Sequence, residues 1–181
     1  MGNPRRQRKK YSKPFKRWDK ERIEKEKSLM KEYGLKNKKE IWKIASKLKG
    51  FKYQARRLVA ERSEQAEIEK RQLLAKLYTL GLLDKDAKLD DVLSLTENDL
   101  LERRLQTQVV RVGLARSIKQ ARQFITHEHI MVGDKVVNIP SYLVKRGEEQ
   151  MIKFKPDSPF SNEEHPIRIS KKEEVKEVKK E

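Results

Sequence analysis

Few side chains in this 181-residue chain are equipped for covalent chemistry. There are three histidines and no cysteine, which excludes thiol nucleophiles, disulfides and thiolate-bound zinc. His127-Glu128-His129 sets two imidazoles two positions apart at a predicted helix end with no third plausible ligand nearby, a poor metal site. Contact with a phosphate or 2′-hydroxyl is the better expectation there, and even a plain surface role ranks above a metal. Asp84, Asp86, Asp90 and Asp91 suggest a cation loop, but the central Gly and the closing Glu are missing at the required offsets, so they read as capping and solvation. Seven glycines are scattered singly, and no phosphate-cradling loop or nucleophile elbow is present. The carboxylates lie among lysines in exposed patterns. The chain is therefore expected not to be an enzyme and to carry no cofactor.

What it holds in abundance is fixed positive charge. The 45 Lys and Arg against 28 Asp and Glu give a net charge of +17. Such a balance speaks about partners rather than fold, and nucleic acid is the commonest polyanion that relieves it. A membrane surface is the competing partner. No apolar run approaches the roughly 20 residues of a spanning helix, and the basic stretches lack apolar anchors. The first ten residues lack a signal-peptide core, and Arg6 sits where myristoylation needs Ser or Thr. The expectation is a cytoplasmic protein with no membrane partner.

The charge is also concentrated. Residues 1–20 and residues 36–57 each hold nine basic residues and one acid, leaving 27 basic against 26 acidic elsewhere. The first block, with Arg5, Arg6, Arg8, Lys9 and Lys10, contains Pro4 and Pro14 and has no apolar periodicity. It reads as a basic arm, solvated and disordered in isolation, that orders along a phosphate backbone. Tyr11, Phe15 and Trp18 interleave with its cations and are suited to stack on bases or riboses.

The second block predicts one helix over 36–60. On a wheel, Lys36, Lys39, Lys43, Lys47 and Arg57 fall within about 40° of one line, and Ile41, Ala45, Leu48, Ala55 and Val59 fall opposite. Arg56 adds to the same block. A solvated lysine face usually intersperses Glu at i,i+4, and here only Glu40 interrupts, so RNA contact is the preferred reading. Gly50 lies on the cationic line, where its small size lets a backbone approach.

Around these blocks, residues 20–33 predict a short helix ending at Gly34. Residues 64–80 predict an amphipathic helix with Ala66, Leu73, Leu77 and Leu80 inward, stopped by Gly81. Residues 82–95 read as a turn-rich connector anchored by Leu89, Val92, Leu93 and Leu95. Thr96 with Asp99 opens a short helix through Arg104, and 105–112 is a helical stretch ended by Gly113. Ser117 with Gln120 forms a capping box for a helix with Ile118, Ala121 and Ile125 inward. Runs at 130–132, 136–139, 142–144 and 151–154 predict an antiparallel sheet, with Gly133-Asp134 as a hairpin turn. Residues 156–181 read as an extended tail.

The residues from 104 onward carry a resemblance. Arg104-Leu105-Gln106-Thr107, Gly113-Leu114-Ala115-Arg116-Ser117, Gln120-Ala121-Arg122-Gln123-Phe124-Ile125, His127, His129-Ile130-Met131-Val132 and Val136 through Tyr142 resemble the RNA-binding module of the S-four family. With the arm and helical region before it, nearly the whole chain is similar to the archaeal form of the S-four family of small-subunit ribosomal proteins. Two departures stand out. Some relatives carry a cysteine zinc site near the N-terminus, which this chain lacks, and Val-Gly-Asp replaces the usual Val-Asn-Gly at the hairpin. The resemblance implies direct binding to small-subunit rRNA, early assembly, contact with neighbouring ribosomal proteins, a place where mRNA enters the subunit, and support of decoding accuracy. A free RNA chaperone or ribosome-rescue factor using the same module is the alternative.

The combined expectation is an α+β chain: a basic arm and short helix (1–35), a helical rRNA-binding domain (36–102), a two-helix and antiparallel-sheet RNA-binding module (103–155) and an extended tail (156–181). The module's expected RNA contacts are Arg103, Arg104, Arg116, Lys119, Arg122, His127 and His129. Arginine forks onto two phosphate oxygens, and the free N–H groups after Ser117 favour an anion. Arg122 lies close to the apolar stripe, so packing and binding roles are equally open there. Removing residues 1–20 is expected to weaken RNA binding and to flatten its dependence on salt. Binding titrations across a salt series check this, and an unchanged slope contradicts a phosphate-binding arm.

Overall fold

The structure is a computed structural model that describes residues 9–162 and 165. Arg5, Arg6, Arg8 and the Lys/Glu-rich end of the tail lie outside the described residues. The chain divides into two compact units, one through Leu101 and one from Glu102 onward. The α+β class read from the sequence is the observed one.

In the first unit, α1 (Lys20–Glu32) starts at Asp19, whose carboxylate accepts from the Arg22 N–H. It ends before Gly34, which takes a φ of 55°. The long helix α2 (Lys38–Ala60) buries Ile41, Leu48, Phe51, Ala55 and Leu58. These positions, with half-buried Ile44, repeat every seven residues, as 41-48-55 and 44-51-58. A seven-residue repeat drifts about 20° per heptad on a 100° wheel. That drift is why the buried line reaches Leu58, while Val59, expected inward, is 57% exposed.

α3 (Glu64–Thr79) is capped by the Ser63 hydroxyl and buries Ala66, Leu73 and Leu77, with Leu80 half-buried beyond its end. The stretch expected as a connector instead contains α4 (Leu89–Ser94), which packs on α2. The Asp91 carboxylate accepts the Lys88 N–H at 2.7 Å, and Leu89 and Val92 are buried. Six residues are too few to show a helical period, and packing rather than propensity stabilises such a helix. α5 (Glu97–Glu102) follows, its start fixed by the Asp99 carboxylate, which accepts from the Thr96 N–H at 2.7 Å and hydroxyl at 3.0 Å.

Residues 9–19, expected to be disordered in isolation, are laid against this unit. The Ser12 N–H donates to the Ser46 hydroxyl at 3.0 Å, and the Tyr11 ring lies 6.2 Å from that of Trp42. The Arg22 guanidinium donates to the carbonyls of Lys16 and Arg17. The other arm of Arg22 meets Glu26, whose carboxylate also takes the Trp42 indole N–H at 3.1 Å and the Lys38 ammonium at 3.1 Å. Glu26 is 5% exposed and so fastens α1, the arm and α2 together.

The second unit holds α6 (Leu105–Arg111), α7 (Ile118–Thr126), β1 (Ile130–Val132), β2 (Lys135–Val136) and β3 (Ile152–Phe154) in an antiparallel sheet of order β2-β1-β3. Leu105, Val109, Ala121, Phe124, Ile125, Ile130, Val144, Ile152 and Phe154 make its core. Val132 pairs with Lys135, so Gly133-Asp134 is a two-residue hairpin loop. Gly133 has a φ of 61° and Asp134 has no positive φ, the pattern of a II′ turn, which places Gly first. That resolves the departure at Val-Gly-Asp: the glycine sits where its freedom is required.

Two strand expectations are corrected. The second strand is 135–136 rather than 136–139, because the chain leaves the ladder after Val137 donates to the Ile130 carbonyl. Residues 142–144 do not join the sheet. They clip onto the start of the module, with Leu105 N–H to the Tyr142 carbonyl at 2.8 Å, Val144 N–H to the Arg103 carbonyl at 2.9 Å, and an antiparallel bridge between Arg104 and Leu143. Of the expected tail, 159–161 forms a 3-10 turn.

Burial raises the Glu26 pKa, but hydrogen bonds from Trp42, Lys38 and Arg22 outweigh it and hold the group below its ordinary 4.5. The stabilisation from its ionised form is therefore complete above about pH 4.5 and is lost as the pH falls through the lower folded value. Glu26→Gln is expected to cost about 1–3 kcal/mol at pH 7 and to make the acid-side fall in stability shallower. Thermal unfolding of both proteins across pH checks this, and parallel acid limbs contradict it.

Candidate nucleic-acid interface

On the first unit the expected cations face outward. Lys9 and Lys10 are exposed, as are Lys13, Lys16 and Arg17 further along the arm. Lys36 precedes α2, and Lys39, Lys43, Lys47 and Arg56 stand exposed along it. A side chain built on Gly50 meets nothing within 4 Å, so the backbone is open on that stretch of the helix. Arg57 differs from its neighbours: its guanidinium is held by Glu69 of α3, with Glu61 at 3.8 Å. Burial, with the Lys76 charge nearby, pushes the Lys47 ammonium below its ordinary value. Lys76 itself lies over the Phe51 ring, 5.7 Å from its centre.

The module divides its cations differently. Arg103 donates to Glu149 at 2.5 Å and to the Val144 carbonyl at 2.9 Å. Arg104 is 1% exposed, placing it in the interior rather than on a phosphate-facing surface. His129 has its Nδ1 3.0 Å from the Ser158 hydroxyl and its ring edge-on to Phe160 at 4.9 Å. Burial, then the His127 charge, lowers its pKa below the usual 6.5. It belongs to an aromatic cluster with Phe124, Phe154 and Phe160. The three residues expected to fork onto phosphate or approach a 2′-hydroxyl at these positions are thus drawn into structure.

Arg116, Lys119 and His127 remain exposed. Ser117 caps α7 by accepting the Gln120 N–H at 3.2 Å, and the Gln120 side chain reaches back to the Arg116 N–H at 2.7 Å. This is the expected capping box shifted one residue earlier on its return arm. It fixes the backbone that presents Arg116. Arg122 is half-buried, with its guanidinium 3.5 Å from the Gln106 amide oxygen; Gln106 in turn donates to the Ile118 carbonyl. Gly113, with a φ of 88°, terminates α6 as expected.

The sequence reading missed the role of Arg22, which aims the arm. Its i,i+4 spacing to Glu26 was a visible signal for a pair; its grip on the Lys16 and Arg17 carbonyls had none. Among the described residues no group of three or more His, Asp or Glu is placed to hold a metal, and no helix is long and apolar enough to cross a membrane.

This geometry separates structural from available cations. Arg103→Ala is expected to destabilise the protein by about 1–3 kcal/mol, whereas Lys119→Ala stays within about 0.5 kcal/mol. Urea unfolding followed by circular dichroism measures the difference, and equal losses contradict the division.

Residues 103–149 match the family model described as the S4 domain. Over 175 residues the chain is 53% identical to the small ribosomal subunit protein uS4 of Nanoarchaeum equitans, covering 95% of this chain and 97% of that one. It is 52% identical to uS4 of Ignicoccus hospitalis over 88% of this chain and 96% of the relative, and 53% identical to uS4 of Methanococcus aeolicus over 93% and 96%. With identity above half along nearly the full length of both partners, and an S4 domain match within the second unit, the chain belongs to the uS4 family of small ribosomal subunit proteins.

Proposed function

We propose that this protein is a structural constituent of the small ribosomal subunit that binds rRNA directly, takes part early in assembly and supports decoding accuracy, without catalytic activity of its own. The observation that carries this reading is the exposed line of Lys39, Lys43 and Lys47 with Arg56 on α2, on a chain whose relatives bear small-subunit names. Structured RNA is recognised by shape, through phosphates and 2′-hydroxyls, and a rigid helix carrying regularly spaced ammonium groups is suited to that. Lys9, Lys10, Lys36, Arg116, Lys119 and His127 extend the proposed contact set. Arg57 and Arg122 contribute part of their guanidinium surface. Arg103, Arg104 and His129 support the module from within. Arg5, Arg6 and Arg8 would lengthen the arm's contact with phosphates.

On this reading the protein resides in cytoplasmic ribosomes, beside neighbouring small-subunit proteins and near where mRNA enters. A free RNA chaperone or rescue factor would bind only transiently, and the long basic arm favours permanent embedding. Sucrose-gradient sedimentation of a lysate with a high-salt wash distinguishes the two. Retention on the small subunit after the wash is the expected result; release at moderate salt contradicts integral membership. In vitro, the combined Lys39→Ala, Lys43→Ala and Lys47→Ala variant is expected to weaken rRNA binding and reduce the salt slope by about 2–3.

A further inference from the structure

The arm carries a feature that cation count does not explain. Phe15 is 100% exposed and Trp18 91%, the highest values among the exposed large apolar side chains of the described residues, with Tyr53 next at 68%. Each such ring brings roughly 150–250 Å² of surface that ordinarily covers a core. Tyr11, the third ring of the segment, is instead packed against Trp42.

The backbone beneath the two exposed rings is held at both ends. Ser12 is tied to Ser46, and Arg22 binds the carbonyls of Lys16 at 3.1 Å and Arg17 at 3.0 Å. Asp19 then caps α1, and Pro14 restricts its own φ. The rings are thus presented on an ordered loop, which lowers the entropy cost of binding there.

Lys13, Lys16 and Arg17 are exposed around the rings. Alternating planar rings and cations match a single strand, whose bases offer flat faces beside phosphates. A duplex keeps its bases stacked and offers the rings nothing. An apolar protein groove would have to desolvate Lys16 and Arg17 as it closed on the rings.

We propose that Phe15 and Trp18 form a preformed stacking platform for two unpaired nucleobases of RNA, with Lys13, Lys16 and Arg17 on the adjoining phosphates. The inference rests on the RNA-binding reading above and adds recognition of base faces to that of the backbone.

The test uses the full-length protein with a mixed-sequence single-stranded RNA of about 12 nucleotides and the duplex of the same sequence. Phe15→Ala and Trp18→Ala are each expected to weaken single-strand binding roughly tenfold. Duplex binding and the slope of affinity against salt should stay unchanged, because no phosphate contact is removed. Trp18→Phe should retain most of the affinity, and Trp18→Leu, apolar but not planar, should not. Both positions are solvent-exposed, and the helical circular dichroism of the variants verifies folding. Unchanged single-strand affinity in both alanine variants, an equal loss on the duplex, or full rescue by leucine overturns the platform. If the unaltered protein binds neither RNA, the RNA-binding reading falls together with the platform. If it binds normally and the alanine variants match it, the platform alone falls.

Discussion

A surplus of 17 positive charges has to be placed on a chain of 181 residues, and its carboxylates decide where. Glu26 gathers Arg22, Lys38 and Trp42; Glu69 holds Arg57; Glu149 holds Arg103; Glu102 takes Arg111 through two N–H groups at 3.2 and 2.9 Å. Each of these carboxylates joins separate segments, so the cations they capture become part of the scaffold. Most of the other described cations face solvent and repel one another; at Lys47 burial is the first cause of the lowered pKa and the Lys76 charge the second. Salt screens such repulsion in part, and a polyanion relieves it directly. The excess charge thus disfavours the isolated protein and favours its bound state.

The second unit follows from a clip between its first residues and a later loop. Residues 103–105 pair antiparallel with 142–144, which brings Arg103 to Glu149 and turns Arg104 into the interior. That clip starts α6, and α6 packs on α7 around Leu105, Val109, Ala121 and Ile125. The start of α7 then projects Arg116 and Lys119. The aromatic cluster of Phe124, Phe154, Phe160 and His129 closes the opposite end of α7, where His129 N–H bonds the Phe124 carbonyl. Glu128, the residue before, takes a φ of 61° to make that helix ending, with its carboxylate accepting from Asn138. The exposed cations therefore depend on apolar packing and backbone pairing that carry no charge.

How much of this was legible varies with the range of the interaction. The caps at Thr96 and Ser117 and the glycine stops at 34, 81 and 113 involve neighbours a few residues apart, and they were readable. The inward face of α2 was readable to within the drift of a heptad, which is how Val59 was exchanged for Leu58. The helix α4 was missed because six residues show no period. The segment 142–144 was recognised as extended, but its partner was not, since β pairing is chosen by tertiary context. Among the proposed contacts, the outward lysines of α2 followed from the wheel. Arg103, Arg104 and His129 did not, because their type and spacing are the same whether they face RNA or the core.

The sequence by itself determined the class of partner, the two concentrations of cations, and most helices with their ends. Charge composition, periodicity and capping are properties of single residues or of residues within one or two turns. Only the tertiary structure decided which cations are available. Arg103 meets a carboxylate 46 positions away, Trp42 reaches Glu26 across 16, and Ser12 finds Ser46 across 34. Pairings at that separation arise when elements pack, and no local rule specifies them. The same packing leaves Phe15 and Trp18 in solvent while drawing Tyr11 in.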